Sequence, residues 1–132
     1  MSDYLDSSVL IAALVDSQPF HEECADALAA GGITSAHALA EAYSILSGRL
    51  RLDPQTVSDV LLHNTKDLKK VDLTWSEYSK LIASSPKNGV RGGAIFDALH
   101  VAAARKASAK RLLTLDQDYY SFAPDLIHYL GK

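Results

Sequence analysis

Four carboxylates stand where this sequence would otherwise have an apolar residue or the end of a short strand. Asp97 lies inside Ala94-Ile-Phe-Asp-Ala-Leu-His-Val-Ala-Ala-Ala104, a run apolar almost all round and therefore expected to be a buried helix. Glu41 lies in a similar setting, Ala38-Leu-Ala-Glu-Ala-Tyr-Ser-Ile-Leu46. Burying an unpaired carboxylate costs on the order of several kcal/mol, so each must be paired, protonated or bound to a cation. Neither has a Lys or Arg three or four residues away, where a helix would supply a local partner. Asp6 follows the short apolar pair Tyr4-Leu5, and Asp116 follows Leu112 to Leu115. Open parallel sheets bind their ligands beyond the carboxyl ends of such strands.

Each acid also has a plainer explanation. Asp6 suits the N-cap of the next helix, and Asp116 an Asx turn. Asp97 and Glu41 would be answered equally well by a distant Lys or Arg. Asp118, two residues after Asp116, reads as a turn residue or as a support for a metal site. Taken together, however, the four acids point to a divalent cation. Two unit charges 4 Å apart repel by about 4 kcal/mol at an effective dielectric of about 20, so four stay ionised only around positive charge. An all-oxygen donor set suits Mg²⁺ or Mn²⁺. Zinc would want His or Cys, but Cys24 is the only cysteine and the five histidines have no recognised metal-ligand spacing. His100, three residues after Asp97, is expected to pack or to support a ligand. The chemistry such a cation does well is phosphoester hydrolysis. Ser7 and Ser8 beside Asp6, and Thr114 beside Asp116, would orient waters or phosphate oxygens there, or simply start a helix and end a strand.

The elements that must position these residues are legible as an alternation of short apolar runs and amphipathic segments. Tyr4-Leu5, Ile33-Thr34, Lys69 to Leu73, Arg111 to Thr114 and Leu126 to Leu130 are expected strands. Helices are expected over 8–15, from Pro19 to the Gly31-Gly32 stop, over 37–46 behind a Ser35 cap and from the Asp53-Pro54 start. Two more are expected, behind the capping box Thr74-Trp-Ser-Glu77 and over 95–107. Residues 84–93 read as loop, and 116–122 as a turn or short helix. Such an alternation implies α/β architecture, a parallel sheet with helices on both faces. With 132 residues and no linker or repeat, one domain spanning 1–132 is expected.

Composition narrows the classes further. Apolar residues make up 48% and charged residues 22%, the balance of an ordinary globular protein. Net charge is −3, the wrong sign for a protein living by non-specific phosphate contacts. No stretch offers the roughly 20 apolar residues of a membrane span, and no basic signal-peptide start is present, so a cytoplasmic location is expected.

In order and in spacing these pieces resemble the PIN-domain ribonucleases, and among them the VapC toxins of bacterial toxin–antitoxin pairs. Leu5-Asp-Ser-Ser-Val-Leu-Ile11 is similar to the family's first-strand motif, and Ala40-Glu-Ala-Tyr-Ser-Ile-Leu46 to its second acidic motif. Asp97-Ala-Leu-His-Val-Ala-Ala-Ala104 together with Arg111-Leu-Leu-Thr-Leu-Asp-Gln-Asp-Tyr119 is similar to the third and fourth. The resemblance implies a three-layer α/β/α fold around a short central parallel sheet, and a Mg²⁺- or Mn²⁺-dependent endoribonuclease. It implies Asp6, Glu41, Asp97 and Asp116 as metal-binding acids, with Ser7, Thr114 and Asp118 in support. It further implies a homodimer, a cognate VapB-type antitoxin covering the acidic groove, and a tRNA or rRNA substrate. Tyr119-Tyr120 where Phe is common, and Ser-Ser after Asp6 where Thr-Ser is common, are the departures.

An acidic cluster repels RNA, so cations must hold it. Lys87 and Arg91 lie just before the Asp97 helix, and Arg49 and Arg51 just after the Glu41 helix. Surface solvation explains all four equally well. Two rivals stand beside the nuclease: a PIN-like binding module that no longer cuts, and a phosphatase with Asp6 as nucleophile. The second would want another Asp two residues on, where Ser8 stands.

Overall fold

Alternation along strands only two or three residues long decides the architecture. The computed structural model describes residues 2–121 and 123–131. Its strands are β1 (Tyr4–Leu5), β2 (Ile33–Thr34), β3 (Lys69–Lys70), β4 (Leu112–Thr114) and β5 (Ile127–Tyr129). They form one parallel sheet in the order β3-β2-β1-β4-β5. Tyr4 is in register with Ile33 and with Leu112, and Leu112 with Ile127, so these four share one face. The period of two sends Leu5 and Leu113 to the other.

Each face carries its own core. Tyr4, Ile33, Leu112 and Ile127 pack with Val101, Ala103 and Ala104 of α6 (Ala94–Lys106). Leu5 and Leu113 pack with the buried sides of four helices: α1 (Ser7–Leu14), α2 (His21–Ala29), α3 (Ala36–Ser44) and α4 (Pro54–Thr65). The remaining helix, α5 (Trp75–Ser84), lies on α6 and has no buried residue. The result is the three-layer α/β/α arrangement expected of the sequence. Among the described residues, no helix is long and apolar enough to cross a membrane.

The local signals act as anticipated. The Asp53 and Thr74 side chains accept from Thr56 N and Glu77 N, and the Glu77 carboxylate accepts in turn from Thr74 N, closing the capping box. Gly32, at φ +139°, lies where a Cβ would come 2.5 Å from the Asp3 carbonyl. Only glycine lets the chain pass that close and enter β2.

Three local expectations shift. The second helix begins at His21 rather than at Pro19, because Phe20 adopts a left-handed conformation at φ 61° and turns the chain first. The third strand stops at Lys70 rather than Leu73. Val71 N still donates to Thr34 O at 2.9 Å, but the Asp72 carboxylate then accepts from Ala36 N at 3.2 Å and leads the chain off the sheet. Finally, α3 does not run on to Leu46 but widens into a π-helical turn, Ile45–Arg49, spanning Gly48.

Candidate active site at the carboxyl ends of β1 and β4

The strand order makes β1 the point of divergence. The chain moves outward from β1 through β2 to β3, then returns to lay β4 and β5 on its other side. Crevices at such a reversal are where open α/β sheets bind ligands. Asp6 follows β1 directly, and Asp116 lies two residues beyond β4.

Asp6 is 1% exposed and fully occupied with hydrogen bonds. Its Oδ1 accepts from Val9 N at 3.1 Å and Ser8 Oγ at 2.6 Å, and its Oδ2 from Thr114 Oγ1 at 2.6 Å. The N-cap reading is therefore true, and it places a carboxylate at the positive end of α1. Asp116 likewise makes the expected Asx turn, accepting from Asp118 N at 2.9 Å. The two acids are linked through Thr114, which donates to Asp6 and accepts from Asp116 N at 3.0 Å. Ser8 makes a parallel link, donating to Asp6 and accepting from Leu115 N at 3.0 Å. These bonds fall to Ser8 rather than to its neighbour Ser7, and both serines line an adjoining cleft. Asp118 is exposed at the start of a short 3-10 turn, Gln117–Ser121.

Asp97 reaches the same rim from the first turn of α6. Its carboxyl is pushed up to about 6, first by burial and then by the charges of Asp116 and Asp6, against opposition from the Tyr119 hydroxyl and His100. That hydroxyl is itself held well above its ordinary value by burial and by the negative charge of Asp6, Asp97 and Glu41. Tyr119 thus sits in the field of three of the acids. Among the described residues, no ion pair involves Asp6, Asp97 or Asp116.

Glu41 has partners that a search for Lys and Arg passes over. Its Oε1 lies 2.5 Å from His100 Nε2 and 3.3 Å from His37 Nε2, one turn earlier on α3. Partial burial pushes the carboxyl up, but the hydrogen bond with His100 and the charge of the two nearby histidines outweigh it and hold Glu41 well below the usual carboxylate range. His100 is 1% exposed, and its Nδ1 lies 2.8 Å from the Tyr4 hydroxyl, which in turn lies 2.8 Å from Ser35 Oγ. A buried polar chain therefore runs from the α3 cap to Glu41. The i,i+4 spacing of His37 and Glu41 was the signal for part of it; the pairing with Tyr4 is a tertiary contact that no spacing announces.

The oxygen donors at this rim fit a hard divalent cation: among the described residues Asp97 and Asp116 make no ion pair, and burial first and the charge of Asp116 next raise the Asp97 carboxyl. Among the described residues, the group whose ligand atoms all lie within 4.8 Å of one another is nevertheless His37, Glu41 and His100, not the four acids.

Around the rim, an open cleft of about 390 Å³ runs between Ser8, Phe20, Ile45 and Leu115, with Arg49 on its lining. Arg49 belongs to the π-helical turn after α3. Lys87 and Arg91 are exposed on the segment between α5 and α6 and make no ion pair among the described residues. Arg111, by contrast, is committed to Asp3 at 2.8 Å, at the opposite end of β1 and β4.

The family model for the PIN domain matches residues 4–123. A curated relative, Ribonuclease VapC40 of Mycobacterium tuberculosis, is 36% identical over 120 residues, covering 84% of each chain. Among solved structures, Mycobacterium tuberculosis VapC20, described as a sarcin-ricin loop cleaving toxin, superposes with a TM-score of 0.76 at 18% identity, covering 92% of this chain and 95% of its own. FitAcB from Neisseria gonorrhoeae gives 0.63 at 19% identity, with 97% of both chains covered. At those identities the superpositions speak to the fold.

Proposed function

Because this chain belongs to the PIN domain family, with a VapC ribonuclease among its relatives, we propose that it is a metal-dependent endoribonuclease, the toxin of a type II toxin–antitoxin pair. The observation that carries the reading is the convergence of Asp6, Asp97 and Asp116 on the β1/β4 crevice with no ion pair to any of them among the described residues. Asp6, Glu41, Asp97 and Asp116 would hold Mg²⁺ or Mn²⁺. When bound, such an ion supplies charge stabilisation at the scissile phosphate and lowers the pKa of a water.

The chain's own contribution is positioning. Ser8 and Thr114 hold both Asp6 oxygens in a fixed orientation, and Thr114 fixes the start of the Asp116 turn through its N–H bond. His100 and His37 keep Glu41 ionised and aimed. The Tyr119 hydroxyl donates to the Asp97 carboxylate and favours its ionised form. Ser7 and Asp118 flank these groups as supports. The RNA backbone, repelled by the acids, would be held by Arg91 and Lys87 on one side and by Arg49 at the mouth of the cleft on the other. Covering this rim with a VapB-type antitoxin would block RNA and metal together, and a homodimer is expected of this class.

The test is cleavage of purified total tRNA and rRNA with Mn²⁺ or with EDTA, by wild type and Asp97→Asn. Discrete cuts that need metal and are lost in the variant are expected. Cuts that persist in EDTA would overturn the reading. So would an absence of cuts combined with an absence of Mn²⁺ binding by calorimetry.

A further inference from the structure

We propose that His37, Glu41 and His100 form a second, chemically distinct metal site that takes a borderline transition ion such as Zn²⁺ and competes for Glu41 with the oxygen-bound ion of the acid rim. The proposal stands on the geometry of these three side chains and does not require that the protein cut RNA.

The donor set is two imidazole nitrogens and one carboxylate, with all three ligand atoms within 4.8 Å of one another. Two histidines and a glutamate with one position left open is a recognised zinc arrangement, whereas Mg²⁺ prefers oxygen throughout. For such nitrogen donors affinity rises from Mn²⁺ to Zn²⁺. With metal–ligand distances near 2.0–2.1 Å, donors around a tetrahedral Zn²⁺ stand about 3.3 Å apart. His37 Nε2 and Glu41 Oε1 are already 3.3 Å apart. His100 Nε2, at 2.5 Å from Glu41 Oε1, would have to open by about 0.8 Å, which is what exchanging a shared proton for a metal ion does.

A second observation is independent of that spacing. His37 Nε2 is buried and has no hydrogen-bond partner, its approach to Glu41 being outside hydrogen-bond alignment. A buried ring nitrogen without a hydrogen bond is costly to leave unmet, and in the tautomer with its proton on Nδ1 a metal ion would satisfy it. The rings are also pre-positioned. His37 stacks on Phe96 at 5.6 Å between centroids and 17° between planes, and lies 4.7 Å from the His100 ring.

The surroundings can follow the change in protonation. Metal-bound through Nε2, a neutral His100 must carry its proton on Nδ1 and donate to the Tyr4 hydroxyl. Tyr4 then donates to Ser35 Oγ, which already accepts from Ala38 N. Each hydroxyl in this chain can donate or accept, so reversing it breaks no bond. With Glu41 25% exposed, water can complete the coordination.

Zinc titration of the full chain by calorimetry in metal-free buffer tests this, repeated for His37→Ala and His37→Gln, with Co²⁺ as the spectroscopic probe. Wild type should bind one Zn²⁺ that both variants bind at least tenfold more weakly, and the visible band of nitrogen-ligated Co²⁺ should disappear with it. In wild type, Mn²⁺ affinity should fall when Zn²⁺ is bound, and in the variants added Zn²⁺ should no longer lower whatever Mn²⁺ affinity they have. Failure of wild type to bind Zn²⁺ would overturn the proposal. So would Zn²⁺ affinity unchanged by either substitution, since the ion would then sit on the four acids. Neither result bears on RNA cleavage, which is read separately.

Discussion

Replacing Asp97 by Asn should make the metal-free protein more stable while removing its response to metal. In the folded chain the Asp97 carboxyl is pushed from 3.8 to about 6, by burial first and by Asp116 and Asp6 next. A raised carboxyl means that the folded state binds a proton more tightly than the unfolded state, so stability falls as pH rises from about 4 to 6 and the full penalty is present at pH 7. At about 1.36 kcal/mol per pH unit the shift corresponds to about 3 kcal/mol. Partial solvent exposure screens the charges, which brings the expectation to about 1–2 kcal/mol. Asparagine keeps the shape and can still accept from Tyr119 while carrying no charge at any pH. In EDTA at pH 7.5 the variant should therefore melt several degrees above wild type, and at pH 4.5 the gap should shrink to about a third of that. For a chain of this size about 1 kcal/mol moves the midpoint by about 3–5 °C. Adding Mn²⁺ should raise the wild-type midpoint and leave the variant nearly unmoved. Circular dichroism melts at the two pH values, with and without Mn²⁺, decide the matter. A variant less stable than wild type in EDTA at pH 7.5 would refute the repulsion argument and make Asp97 a structural residue.

Three other perturbations probe the rest of the site. Thr114→Val removes a buried hydroxyl that serves both Asp6 and Asp116 N, so urea denaturation should show a loss of about 1–3 kcal/mol, largely rescued by Thr114→Ser; a loss under about 0.5 kcal/mol would mean the bonds contribute nothing. Glu41, held below its ordinary 4.5, stabilises the fold above that pH and loses the contribution as pH falls below it. Acid titration of Glu41→Gln followed by circular dichroism should accordingly give a shallower acid limb than wild type, and identical limbs would contradict the histidine pairing. In the Asp97→Asn background, Arg91→Ala should weaken RNA binding across sequences and lower the slope of log affinity against log salt by about one, while Mn²⁺ affinity stays constant. An unchanged slope would remove Arg91 from the RNA path.

The layered fold was legible because two periodicities agree. Strand pairs such as Tyr4-Leu5 alternate between the two cores, and caps such as Asp53-Pro54 and Thr74 to Glu77 fix helix starts without tertiary help. The acids were legible for the converse reason: Asp97 and Glu41 break apolar patterns that local chemistry would otherwise have kept. What stayed hidden depends on contacts between segments distant along the chain. Glu41 has no Lys or Arg three or four residues away, yet His37 stands one turn away and His100 arrives from α6. The left-handed Phe20 follows a proline, and nothing in its own side chain favours that conformation. Tyr119 joins the site only because the 3-10 turn folds it back among the acids.

The order of the sheet has a consequence for how this chain meets its neighbours. None of the four acids is carried by an edge strand; they rise from β1, from the end of β4 and from two helices. One edge, β3, is only two residues long, and both are exposed lysines, with the Lys70 ammonium bonded to the Thr65 carbonyl. A short edge bearing paired positive charge resists the addition of another strand. A protein whose work is concentrated at the sheet's middle can thus keep that border closed to strand-by-strand growth. On the helical side, α5 presents the exposed Trp75 and Ile82 to such neighbours.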